Sequence, residues 1–190
     1  MDNSQYGLVT SIFAFGGLCG ALMGGPLSNK HGRRGSLLLL SILFTIGGAI
    51  MTVSWEMWVL ALGRFVSGIA SGAAVVVVPL YIHEVAPAGE KGAFGAITQI
   101  SVNLGILLTQ VLGLFWSQEI LWRSILGVGG LLGAIQAVLL LKANESPKWL
   151  VSQGWKAEAE QALQALRGGK LSVQEIDEGL SDGLHASGEF

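Results

Sequence analysis

Charge is what this sequence has least of: lysine, arginine, aspartate and glutamate make up 13% of its 190 residues, against roughly a quarter in an ordinary soluble domain. With 51% hydrophobic residues, that deficit places the chain among membrane proteins. A net charge of −2 gives no argument for nucleic acid, and none is expected as a partner. Cysteine is almost absent too. Cys19 alone excludes an internal disulfide and a thiolate metal cluster. His31, His83 and His185 are scattered over loops and tail without metal-ligand spacing, and no serine or cysteine has a plausible base near it in sequence. An enzyme is therefore not expected, nor a metal or cofactor. The first apolar stretch has no basic region before it and is longer than a typical signal-peptide core, so a cleavable leader is not expected.

What the chain does have is apolar runs. A bilayer crossing needs about 20 mostly apolar residues, and five segments meet that: 7–27, 36–55, 57–82, 93–116 and, with the least certain limits, 124–141. Only one charged residue, Arg64, lies inside them. Backbone in hydrocarbon must satisfy its own hydrogen bonds, so these runs are read as helices. The fold class is all-α, a polytopic helix bundle over residues 1–150, followed by a helical segment and tail over 151–190.

The charges sort by side. With the stretch Asn29–Gly35 taken as cytoplasmic, Lys30, Arg33, Arg34, Lys91, Lys142, Lys148, Lys156, Arg167 and Lys170 all fall on that face. The opposite connections, around Glu56 and Trp116–Leu121, carry acids but neither lysine nor arginine, and Arg123 sits at the outer rim of the last span. This is a positive-inside pattern, and it puts the C-terminus in the cytoplasm. Trp55, Trp58, Trp116 and Trp122 mark the outer boundary and Trp149 the inner one, as an aromatic belt requires.

Glycine is concentrated in the spans. Gly16, Gly20 and Gly24 share one helix face, as do Gly68 with Gly72 and Gly129 with Gly133; such small-residue faces let helices approach closely. Beyond Leu150, Trp155–Leu166 reads as an amphipathic helix, and Ser172 followed by Glu175 as a capping box opening a second short one.

Two features ask for chemistry. Arg64 costs roughly 2.5–3.5 kcal/mol to place at mid-membrane, so it should face the bundle interior and pair with an acid; no acid lies within the five spans, so its partner is not among them, or Arg64 snorkels outward. In the fourth span Gln99, Asn103, Ile106 and Gln110 share a helix face covering about 16 Å of depth. Three amides on one stripe fit a wet cavity or interhelical hydrogen bonds, and spacing alone leaves both open. A cavity of amides without carboxylates suits a neutral, hydroxyl-rich solute, because amides both donate and accept.

Four motifs then carry a family resemblance. "GPLSNKHGRR" (Gly25–Arg34) resembles the loop signature of the major facilitator superfamily. "GRFVSGIASG" (Gly63–Gly72) with "PLYIHEVAPAGEKG" (Pro79–Gly92) resembles the sugar porter pattern. "ITQISVNLGILLTQVLG" (Ile97–Gly113) is similar to the substrate helix of facilitative glucose transporters, and "NESPKWL" (Asn144–Leu150) to the motif that follows the first bundle. They occur in family order over nearly the whole chain to about Gly169, and the variants resemble fungal members.

The resemblance implies five helices of an N-terminal half, without the first helix or the C-terminal half, in an architecture that binds substrate between two halves near the midplane. It implies a substrate site at Gln99, Val102, Asn103, Ile106 and Gln110, with Asn103 replacing the usual aliphatic residue. It implies a gating charge network of Arg33, Arg34, Glu84, Lys91, Glu145 and Lys148. Asn29 stands where many members carry aspartate, and Lys91 and Lys148 replace commoner arginines, losing bidentate geometry. Arg64 matches an arginine that faces a first-helix carboxylate in proton-coupled relatives, so it is a candidate coupling residue, with protons a candidate partner.

The function expected is alternating-access transport of a hexose-like sugar or polyol, by a partial chain. The alternative is a short, non-transporting membrane protein that associates with or regulates a full-length relative. Which sugar, uniport or symport, and plasma or vacuolar membrane stay open at this level.

Overall fold

The computed structural model describes residues 3–87, 89–116 and 122–166. The described residues form seven helices: α1 (Asn3–His31), α2 (Arg33–Val53), α3 (Met57–Val85), α4 (Lys91–Trp116), α5 (Trp122–Leu140), α6 (Pro147–Ser152) and α7 (Lys156–Leu166). α1 to α4 each contain a stretch long and apolar enough to cross a membrane. The apolar part of α5, Ser124–Leu140, is shorter, although its 19 residues span about 28 Å, close to the hydrocarbon thickness. The molecule is an all-helical membrane bundle with four to five candidate spans.

The helices overrun the apolar runs. α1 continues to His31 and α2 begins at Arg33, so the basic stretch expected as a loop is two helix ends meeting at one residue, Gly32. Polar residues continue a helix as readily as apolar ones once it is nucleated. Lys30 and His31 in the last turn of α1 also oppose the negative end of its dipole. Gly32 takes φ +80°, ψ 169°, a region open essentially to glycine alone.

α1 packs along α3, α3 also along α2, and α2 along α5. The α1–α3 seam is backbone on backbone: a Cβ on Gly20 would strike the Ile69 carbonyl, and one on Gly72 the Gly17 carbonyl. Between α2 and α5 the tight crossing is Gly48 over Gly130, where a Cβ on Gly48 would lie 2.5 Å from the Gly130 Cα. Gly133 adjoins Ser41 and Thr45 there, whereas Gly129, expected on that seam, has only ordinary contact with Phe44. A small cluster of Val9, Met51, Leu60 and Ala61 fills the bundle toward one end. Toward the Gly32 end Leu37, Leu40, Ala73 and Val77 form the core, flanked by Leu27, Tyr81 and Leu140. Buried Ser41 and Ser67 return their hydroxyls to carbonyls one turn back, Leu37 and Gly63, so neither leaves a polar group stranded.

After α5 the chain turns through Leu141–Ser146 into α6. Ser146 is its N-cap and Pro147 its first residue, the position proline suits best. α6 and α7 bury Leu150, Val151, Ala159 and Ala162 against each other, and the Trp149 and Trp155 rings meet edge-on at 5.9 Å. The expected second short helix at Ser172–Glu175, with Arg167, Lys170 and His185, lies outside the described residues.

Candidate functional site

The polar centre of the molecule is where α1, α2, α3 and α6 meet around Gly32. Arg33 extends from the first turn of α2 and forms a two-pronged ion pair with Glu84, near the end of α3: Nε to Oε2 and Nη2 to Oε1, both 2.8 Å. The two side chains are 12% and 11% exposed. A fork-to-fork pair so shielded is among the stronger polar contacts a protein makes. Arg33 Nη1 also reaches the Ser28 carbonyl at 3.3 Å and Asn29 Oδ1 at 3.5 Å, the second a long, neutral contact where an aspartate would carry charge.

Glu145 binds differently from what a charge network suggests. Its carboxylate accepts the backbone N–H groups of Arg33 at 2.8 Å, Arg34 at 2.9 Å and Gly35 at 3.4 Å. It is the N-terminal cap of α2, supplied from more than a hundred residues away, and it sits at the positive end of that helix dipole. Gly32 makes room for it: a Cβ there would collide with the Glu145 carboxylate. Arg34 in turn donates to the carbonyls of Leu140 and Leu141 at 2.8 and 2.7 Å, capping the C-terminal end of α5. Among the residues expected to form a charge network, Arg33 and Glu84 are an ion pair, while Glu145 and Arg34 each close a helix end.

Three further participants lie within the quoted motifs but were not singled out as site residues. Ser146, wholly buried, donates to Glu84 Oε2 at 2.5 Å. Tyr81 donates to the Asn144 carbonyl at 2.7 Å, and Trp149 Nε1 to the Asn29 carbonyl at 2.9 Å. Each ties the Asn144–Trp149 segment to α1 or α3. A hydroxyl or an indole N–H is too common to mark a site, and only the fold reveals its partner. Lys148 stands in the first turn of α6; the Lys91 side chain lies outside the described residues.

The expected substrate residues lie on α4. Gln99, Val102, Asn103, Ile106 and Gln110 are all exposed, and no residue of the most apolar stretch of α4 is fully buried among the described residues. Gln99 nevertheless has a neighbour. With Thr98 and Gly95 it forms one wall of an open cleft of about 220 Å³ whose other wall is Pro79, Ile82 and His83 of α3. Ile82 and His83 directly precede Glu84 in α3. Arg64, on α3, is partly buried; its Nε is shielded from solvent and has no hydrogen-bond partner among the described residues.

Against known proteins, the chain matches the family described as sugar (and other) transporter over residues 1–188. It is 40% identical over 180 residues to a probable metabolite transport protein of Saccharomyces cerevisiae, covering 94% of this chain and 37% of that one. It is 37% identical over 181 residues to facilitated glucose transporter member 3 of solute carrier family 2 from Gallus gallus, covering 92% and 36%. Among solved structures, the xylose transporter XylE from E. coli, in a partially occluded inward-open conformation, superposes with a TM-score of 0.87 at 27% identity, over 98% of this chain and 50% of that one. The chain spans little more than a third of the length of these curated relatives.

Proposed function

The chain belongs to the sugar transporter family of the major facilitator superfamily, whose members are carriers rather than enzymes, and from that premise we propose that it supplies part of an alternating-access carrier for a hexose-like sugar or polyol. Gln99, Val102, Asn103, Ile106 and Gln110 form one face of the substrate path, and the centre around Arg33, Arg34, Glu84 and Glu145, with Lys91 and Lys148 beside it, is a latch on the cytoplasmic face. The carrying observation is the cleft shared by Gln99 and the α3 turn that precedes Glu84. A solute held by the Gln99 amide lies against the helix whose end is latched, which gives binding a route to gating.

By the order of its motifs the chain corresponds to the five helices after the first in an N-terminal half, and two Saccharomyces cerevisiae relatives at 40% and 38% identity support a fungal source. The bundle, residues 1–150, lies in the plasma or vacuolar membrane with residues 151–190 in the cytoplasm. Arg64 is the coupling residue if protons accompany the sugar. One solved relative is described as a proton:xylose symporter, and a carboxylate facing the orphaned Arg64 Nε would serve that coupling.

The test is uptake. The longest chain encoded by the transcript, expressed in cells lacking their own hexose carriers, should take up labelled hexose saturably, with other hexoses, pentoses and polyols competing in graded order. External pH during uptake separates symport from uniport. Absence of uptake for every sugar offered, with the protein inserted and folded, would replace this proposal by the reading of a non-transporting partner of a full-length relative.

A further inference from the structure

Ser146 holds the centre of the latch on three sides. Its hydroxyl donates to Glu84 Oε2 at 2.5 Å, the oxygen that also accepts from Arg33 Nε at 2.8 Å. The same Oγ accepts the Trp149 N–H at 3.3 Å as the N-cap of α6. Its backbone N–H donates to Glu145 Oε1 at 3.0 Å, the oxygen that caps Arg33 and Arg34. One fully buried residue therefore touches both carboxylates of the latch and the first turn of the helical segment that follows the bundle.

We propose that Ser146 is a positioning residue that couples the α6–α7 segment to the Arg33–Glu84 ion pair, so that displacing α6 withdraws a hydrogen bond from Glu84 and loosens the latch. The proposal rests on the latch reading above. Its physical basis is that a buried carboxylate is only as stable as its full set of donors. Glu84 takes two of its donors from Arg33 and the third from Ser146. The α6–α7 segment is bound to the bundle by Trp149 through the Asn29 carbonyl and by Ser146, so displacement of α6 bears directly on the hydrogen bond to Glu84. Leu150 and Val151 pack on Ala159 and Ala162, which makes α6 and α7 move as one lever. A ligand or partner that engages the exposed face of α7 acts on the gate through this hydroxyl.

The two roles of the hydroxyl can be separated. Aspartate and asparagine both serve as N-caps, so S146D and S146N each keep α6 closed. Only asparagine can still donate to Glu84; aspartate instead sets a third negative charge against Glu84 and Glu145. The chain reconstituted in lipid nanodiscs is followed by hydrogen exchange at the Arg33–Gly35 amides and at Trp149. In S146D the Arg33–Gly35 amides should exchange about ten- to a hundredfold faster than in the unmodified chain, with Trp149 unchanged. In S146N both sites should stay within about threefold of the unmodified chain. Equal exchange at Arg33–Gly35 in S146D and S146N overturns the proposal, leaving Ser146 a helix cap.

If S146D does not insert, the cycle of S146A, E84Q and the double variant decides instead. Effects that fail to multiply, by fivefold or more, support the coupling, and independent effects overturn it. E84Q alone tests the premise: unchanged exchange at Arg33–Gly35 in that variant defeats the latch reading itself, whereas faster exchange there with no response in S146D defeats only the role of Ser146.

Discussion

Around Gly32, Arg33, Glu84, Glu145 and Ser146 each bond to two or more partners and are largely shielded from solvent; along α4, Gln99, Asn103 and Gln110 stand exposed, with only Gln99 sharing an open cleft with α3 among the described residues. Both regions gather polar groups on membrane helices, where polar groups are expensive. The first solves the cost internally, by ion pairing and by capping helix ends. The second leaves its amides to be satisfied by something else. A region that is complete in itself should answer mutation with lost stability, and one that awaits a ligand should answer with lost binding. The contrast can be broken or sharpened residue by residue.

The largest effect is expected at Glu84. Glu84→Ala leaves the Arg33 guanidinium shielded and unpaired, and breaking a buried pair from one side costs about 3–5 kcal/mol. The measurement is the temperature at which half the detergent-solubilised chain aggregates; a drop no greater than that of an exposed control such as Glu160→Ala would mean that the centre around Gly32 does not hold the bundle. Gly32→Ala comes next. A side chain at φ +80° costs about 1–3 kcal/mol, and the methyl group also expels the Glu145 carboxylate from the α2 cap. Glu145→Gln keeps the backbone and loses only the charge, so it should be the milder of the two in the same melt. Reversed order would assign the strain to the glycine conformation no role.

Gly72→Val probes the α1–α3 seam, where the contact is backbone on backbone. Overpacking costs about 1–3 kcal/mol, and here the obstacle is the Gly17 carbonyl, backbone that cannot rotate away. Lower yield of inserted protein, with Gly129→Val close to unmodified, is the expected outcome. A tolerant Gly72 would place the α1–α3 contact on side chains rather than backbone.

Much of this geometry was legible in the sequence, and the part that was not has a common cause. Apolar run length gave the helices, because a run of about 20 residues crosses hydrocarbon only as a helix, whereas barrel strands are about half as long. Helix ends were less legible: the basic stretch read as a loop because it is charged, whereas its residues remain helical on either side of a single glycine. Arg33, Glu84 and Glu145 were identified as a network from motif resemblance, but their division of labour was not. Whether a carboxylate meets a guanidinium or three backbone N–H groups depends on where α2 begins relative to residue 145, a relation across 112 positions that no local pattern carries. The glycine seams show the same limit. Spacing found the small faces but not their partners, so it favoured Gly129 where the close crossing is Gly48 on Gly130. The α4 stripe was legible in full as a helix face, since periodicity alone defines a face.

The smallest expected change in stability, and the most informative, is at Gln99. Its side chain is exposed, so Gln99→Ala should leave the melting temperature of the chain within the range of ordinary surface substitutions, about 0.5 kcal/mol. On the proposed substrate path, in the uptake-competent chain the same substitution would remove one neutral hydrogen-bonding group from the solute, worth about 0.5–1.5 kcal/mol, and KM for uptake should rise about two- to tenfold. Thr98, half-turned into the same cleft beside Pro79 and His83, offers an internal control: its hydroxyl is the neighbour of Gln99 but not a member of the stripe. If Thr98→Val shifts KM as much as Gln99→Ala while Gln110→Ala does not, the solute sits in the α3–α4 cleft rather than along the α4 face. If Gln99 and Gln110 both respond and Thr98 is silent, the stripe is the path, and the cleft serves to press the bound sugar's helix against the one that ends at Glu84.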